Sequence, residues 1–176
     1  TKMKNKILNA IFAITLISGC SFYKPLKEKI MPGHASKSLS DLSPGFERKV
    51  KKLISKMEDM GYDVRISQTY RDKERQNFLH HFSEVMKEVT GQEIKITATT
   101  KSRHSHTHDG KPAACAIDIR PTFTYMPQSQ VDFYKTLRDE AKKLGLYSGA
   151  DFKRTTFFHK QYDIGWDPGH IYSKKC

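Results

Sequence analysis

Apolar residues recur at helical spacing in three stretches of this chain and alternate with polar ones in others. Phe46, Val50, Leu53, Ile54 and Met57 fall on one face of a helix that Ser43 is placed to cap, Pro44 to open and Gly61 to stop. Phe78, Phe82, Val85 and Val89 form a second stripe, which starts behind Asp72 as cap and ends at Thr90-Gly91. Phe133, Leu137, Ala141 and Leu144 mark a third helix between Pro127 and Gly145. Elsewhere the period drops to two. Asp63 to Tyr70 alternates, with Val64, Ile66 and Gln68 on one side, and Ile94 to Thr100 is rich in β-branched residues and alternates as well. Ala113 to Ile119 is short and nearly all apolar, as a central strand should be. Phe157-Phe158 and His170-Ile171-Tyr172 are candidates for shorter strands. The order helix, strand, helix, strand, strand, helix, strand predicts an α+β fold, a small and mostly antiparallel sheet flanked by about three helices.

The first residues do not share these periods. Lys2, Lys4 and Lys6 precede an apolar run from Ile7 to Ile17, too short for a membrane span, which needs about 20 apolar residues. A basic start and a short apolar core read as a secretory leader. The run closes on Ile17-Ser18-Gly19-Cys20, which resembles a bacterial lipobox, with Cys20 as the acylated residue after cleavage. Residues 20–42, with Pro25, Pro32, Gly33 and several serines and lysines, lack periodicity and read as a tether. That gives residues 1–19 as leader, 20–42 as lipid-anchored tether and 43–176 as the folded domain. The expected location is the cell envelope, on the outer membrane facing the periplasm in a Gram-negative cell, because Ser21 rather than an aspartate follows the cysteine.

Composition agrees with one folded domain and a little left over in a chain of 176 residues, 37% hydrophobic and 28% charged, with 8 Tyr and 10 Phe to fill a core. The net charge of +12 becomes +9 once the three leader lysines are removed. An exported cation of this kind is drawn to anionic envelope polymers, and export argues against nucleic acid as partner. Cys115, inside the apolar run, reads as a buried thiol; an oxidising compartment also permits a Cys115–Cys176 bridge.

Candidate chemistry gathers in two places. His104, His106 and His108 lie within five residues, and Asp118 follows inside the apolar strand between Ile117 and Ile119. A carboxylate on a buried strand is costly unless a cation neutralises it. Arg120 or Arg71 would do so structurally, and a metal would do so functionally. Near the C-terminus, Gly165-Trp166-Asp167-Pro168-Gly169-His170 adds an imidazole with a carboxylate three residues before it. A catalytic zinc takes three protein ligands and keeps one position open for water, with a proton acceptor nearby.

Ser102-Arg103-His104, Ala116-Ile117-Asp118 and Asp167-Pro168-Gly169-His170 resemble, in order, the motif blocks of the D-alanyl-D-alanine carboxypeptidase and L-alanyl-D-glutamate endopeptidase family of zinc peptidoglycan peptidases. Gln68 to Gln76, with Tyr70-Arg71, resembles the family's Tyr-Arg segment, and Gly145 to Phe152 the stretch before its last block. The likeness spans roughly residues 43 to 172. It implies one zinc in a cleft on the sheet, held by His104, Asp118 and His170, with Asp167 as general base and Arg71 and Ser102 binding substrate. One departure matters: His104 and Asp118 are fourteen residues apart, more than the family's usual spacing. The surplus, Ser105 to Pro112, is polar, contains Asp109-Gly110 and reads as an inserted turn; His106 or His108 in the ligand role is the alternative.

With the lipobox at Cys20 supplying the anchor, the resemblance implies a lipid-anchored hydrolase, expected to be a monomer, that cuts peptidoglycan stem peptides as an endopeptidase rather than a carboxypeptidase. Two other functions fit a chain of this kind. One is a non-catalytic peptidoglycan-binding lipoprotein on the same fold, which would lack a ligand or the base. The other is a zinc-sequestering lipoprotein built on the histidine cluster, which would not need Asp167.

Overall fold

The computed structural model describes residues 32–90, 97, 99–122, 127–153 and 160–175. The leader, Cys20, most of the tether, the strand read over Ile94–Thr100 apart from three of its residues, and Phe157-Phe158 lie outside them. The chain divides into two compact units, one holding Arg71–Ser102 and the other Ala35–Tyr70 with the chain from Arg103 onwards. Three long helices and a four-stranded antiparallel sheet make the fold α+β.

In the larger unit, helix α1 (Pro44–Asp59) buries Phe46, Val50, Leu53 and Met57, the stripe its spacing predicts. Ser43 occupies the cap position, but its hydroxyl makes no capping hydrogen bond; its backbone N–H donates to Ala114 O at 3.0 Å. Strand β1 (Val64–Gln68) follows and pairs antiparallel with the central strand β4 (Ala116–Pro121), with a register irregularity between Ile66 and Gln68. Strand β6 (His170–Tyr172) lies on the other side of β4 and in turn pairs with β5 (Tyr147–Ser148), giving the order β1-β4-β6-β5. Helix α3 (Pro127–Lys143) contributes Phe133, Leu137 and Ala141 to the core.

Alternation decides what each face of the sheet carries. Ile117 and Ile119 of β4 and Ile171 of β6 are fully buried and belong to one core with the α1 and α3 stripes. Successive side chains on a strand point to opposite faces, so Asp118 and His170 lie on the face away from those helices. The two isoleucines around Asp118 are therefore not its neighbours in space. They anchor the strand that presents it.

Two local readings change. The central strand starts at Ala116 rather than Ala113, because the preceding residues pair elsewhere: Ala114 N–H donates to Asp41 O at 2.8 Å and Cys115 N–H to Arg103 O at 2.9 Å. Cys115 is buried, as expected, but is disulfide-bonded rather than a thiol; Cys20 and Cys176 lie outside the described residues. The polar surplus is a short hairpin of β2 (Thr107–His108) and β3 (Lys111–Pro112). Its turn places Asp109 at φ 49° and Gly110 at φ 73°, the left-handed pair that a two-residue hairpin turn requires.

In the smaller unit, helix α2 (Lys73–Thr90) is capped as read: the Asp72 carboxylate accepts from Arg75 N–H at 2.8 Å and from His34 N–H at 2.7 Å. Phe78 and Phe82 meet along the helix with ring centroids 6.1 Å apart; the side chains of Val85 and Val89 lie outside the described residues. Gln76 is buried, and its amide donates to Thr97 Oγ1 at 2.9 Å and to Thr99 O.

Candidate metal centre

Three elements of the larger unit deliver three side chains to one point. Asp118 sits in the middle of β4, and His170 opens β6 directly opposite it in the register. His104 comes from a single 3-10 turn, Arg103–Ser105, that leads into the hairpin. The ligand atoms of these three residues lie within 4.8 Å of one another, and they form the only such group among the described residues. His170 Nδ1 stands 2.9 Å from Asp118 Oδ1, His104 Nε2 3.4 Å from the same oxygen, and the two imidazole nitrogens 3.3 Å apart.

His104 is held from behind. Its Nδ1 lies 2.7 Å from Thr69 O. A carbonyl oxygen only accepts, so Nδ1 carries the hydrogen there and Nε2 is the nitrogen turned towards Asp118 and His170. Such a hydrogen bond to the far nitrogen is how metal-ligating histidines are oriented. Thr69 comes just after β1, past the register irregularity, so the strand's end positions the histidine.

These residues fit a divalent metal. Four donors in a tetrahedron at zinc-like bond lengths stand about 3.3 Å from one another, close to the three spacings found. His104 is fully buried, whereas the side chains of Asp118 and His170 keep 23% and 16% exposure, which leaves a side for water or substrate. Burial works to raise the Asp118 pKa, but hydrogen bonds and charge from His104 and His170 outweigh it and hold the carboxyl well below the usual range. Asp118 makes no ion pair with Arg or Lys among the described residues; its charge partners there are the two histidines.

The other histidines of the cluster are elsewhere. His106 is exposed, with Nδ1 donating to Ala113 O at 3.1 Å, and His108 is exposed on the hairpin, 3.4 Å from Asp109. The hairpin absorbs the extra residues, so His104 reaches the site despite its long sequence separation from Asp118. Arg71 and Ser102 both lie in the smaller unit, where Arg71 Nη2 donates to Ser102 Oγ at 3.4 Å.

Asp167 lies in the turn before β6, and its carbonyl accepts from His170 N–H at 3.1 Å. It is not one of the three clustered donors. Burial, then the charge of Asp118, raise its carboxyl above the ordinary value, against the opposing effects of His170, His104 and Arg120. A raised carboxyl pKa means the charged form costs stability. That cost is present in full above the raised folded-state pKa and absent below the ordinary value of 3.8. Metal-free Asp167→Asn is therefore expected to melt above the wild type at pH 8, with the gap narrowing as the pH falls towards 3.8. A gap that widens on acidification would contradict the assignment.

Several supporting residues carry no chemical signature in the sequence. Gly149 packs against the Asp167 turn so tightly that a Cβ there would run into Asp167 O and crowd His170 Cβ. Phe152 walls the His170 side, its ring 6.1 Å from His170 and 6.0 Å from Trp166, so Trp166 belongs to the aromatic border of the site. Tyr134, on α3, has its pKa raised by burial and also feels the charge of Asp167. Gly149 and Phe152 fall in the Gly145–Phe152 block, and Trp166, beside Asp167 in the last block, reads from sequence as a wall of the cleft or as core; nothing in the sequence pointed to Tyr134.

The chain matches no protein-family model and no curated protein. Among solved structures it resembles that of the LdcB LD-carboxypeptidase, described as revealing the molecular basis of peptidoglycan recognition, with a TM-score of 0.50 at 15% identity. It shares the fold of a peptidoglycan carboxypeptidase. The match covers 74% of this chain and 58% of that one, so the chain spans little more than half the neighbour's length.

Proposed function

We propose that the protein is a zinc peptidase that hydrolyses peptide bonds in peptidoglycan stem peptides. The observation that carries this reading is the convergence of His104 Nε2, Asp118 Oδ1 and His170 Nδ1 on the open face of the sheet, with Asp167 in the adjoining turn. The shared fold and the ordered motif blocks support it.

His104, Asp118 and His170 would hold the metal. Zinc bound there supplies a Lewis acid for the scissile carbonyl and brings the pKa of a water towards neutrality. Asp167 takes a proton from the attacking water and returns it to the leaving amine, and burial and the charge of Asp118 raise its carboxyl in the direction that favours holding that proton between the two steps. Phe152 and Trp166 would form an aromatic wall beside His170 for the substrate to pack against. Arg71, whose planar fork suits a carboxylate, would hold the acidic end of the substrate.

Digestion of purified peptidoglycan, with mass spectrometry of the fragments, is the test. Cuts inside the stem peptide are expected, in line with the endopeptidase branch; loss of a single terminal residue would assign the carboxypeptidase branch, and intact stems would sink the peptidase reading. The leader and Cys20 would hold the enzyme at the envelope. Radiolabelled palmitate is expected in the wild type and absent from Cys20→Ser; label in both would overturn the anchor.

A further inference from the structure

A second site lies away from the metal ligands. The larger unit contains a cavity of about 750 Å³ bordered by the first turns of α1, by Tyr147 of β5 and by the residues that follow β6. Five cations line it: Arg48, Lys49 and Lys52 from α1, and Lys174 and Lys175 from the segment after β6. No acidic side chain lines it among the described residues. None of the five makes an ion pair with a described carboxylate, whereas Lys51, one residue from Lys52, is neutralised by Glu47 at 2.7 Å. Like charges around one cavity repel unless an anion joins them.

Two further features favour an anion. Gly45 and Phe46, from the first turn of α1, also border the cavity. The first N–H groups of a helix have no intrahelical acceptor, the dipole there is positive, and Ser43 provides no side-chain cap. On the opposite side Lys174 Nζ sits 4.1 Å over the Tyr147 ring, which stacks on Tyr172 at 5.4 Å, so one of the cations is held in place by aromatic packing.

We propose that this cavity binds a ligand carrying more than one phosphate group. Its volume is in the range of small-ligand sites, and its charge exceeds what a single anion neutralises. Four of the five cations are lysines, point charges that suit phosphate oxygens, rather than the arginine forks that suit carboxylates. None of the residues that line it is a metal ligand. A soluble phosphate-bearing chain and the headgroups of an anionic lipid surface share this chemistry.

The full chain is titrated with fructose 1,6-bisphosphate while backbone amide NMR shifts are followed. Saturable shifts at Tyr147 and Lys174 are expected. The triple variant Lys49→Gln, Lys52→Gln, Lys174→Gln should weaken binding by roughly tenfold or more, from the loss of three near charges. A control triple variant of equal charge, Lys111→Gln, Lys135→Gln, Lys160→Gln, none of which lines the cavity, should stay within about twofold of wild type, as screened charges outside the site do. Equal losses in both variants, or no saturable binding by the wild type, would overturn the proposal. Vesicles of phosphatidylglycerol and of phosphatidylcholine separate the sources. Capture by phosphatidylglycerol alone, lost in the first variant and displaced by the bisphosphate, assigns a lipid headgroup. Bisphosphate binding without vesicle capture assigns a soluble phosphate chain.

Discussion

Alanine at His104, Asp118 or His170 is expected to empty the metal site. Zinc affinity should fall by more than about 100-fold, beyond the 10–100-fold that residues merely supporting a ligand cost. The three donor atoms lie within 4.8 Å of one another, so each removal takes away a third of the protein's donor set. Asp118→Ala carries the extra loss of the one negative charge in that set, and it leaves two imidazole nitrogens 3.3 Å apart with nothing between them to offset the charge of a cation. His106→Ala and His108→Ala are expected to leave affinity within about twofold, since neither reaches the site and exposed positions cost little. Zinc content after gel filtration, and competition against a chelating dye, measure this. If His106→Ala empties the site while His104→Ala does not, the assignment of the hairpin as an insertion beyond His104 fails.

Much of this site was legible in the residues because its chemistry needs unusual ones. Asp118 stood out as a carboxylate inside an apolar strand, and alternation on that strand turns the same pattern into a rule for its direction: isoleucines into the core, carboxylate onto the open face. Helices α1 and α3 were legible because each buries a stripe at helical spacing, and α2 because its Asp72 cap and the Phe78–Phe82 pair mark the same period. Strand β5 was not, since two residues set no period. The start of β4 was misplaced because Ala113 to Cys115 are as apolar as the strand itself, and only their hydrogen bonds to Asp41 and Arg103 show that they pair elsewhere. The contact that orients His104 was invisible for a different reason. It is made by the backbone carbonyl of Thr69, and any residue there would offer the same acceptor. Gly149 was unreadable as well: its role is to have no side chain beside Asp167, and a glycine announces space without saying for what.

The second large effect belongs to Asp167. Asp167→Ala is expected to keep its zinc and its fold yet lose turnover by roughly 10²–10⁴-fold, the usual contribution of general acid–base catalysis. Metal retention follows from geometry, because Asp167 is outside the donor group and is tied to His170 only through its backbone carbonyl, which alanine keeps. The loss should fall mainly on kcat, since the carboxylate moves protons and does not grip the substrate in its resting state. Arg71→Ala should act differently and raise KM, most for substrates with a free carboxylate. The most direct test of the account is zinc content measured beside the hydrolysis rate of the same muropeptides, for wild type and Asp167→Ala. The account predicts one zinc per chain in both and hydrolysis in the wild type alone. Equal hydrolysis by both zinc-loaded proteins, or none by the wild type on any stem peptide, would contradict it.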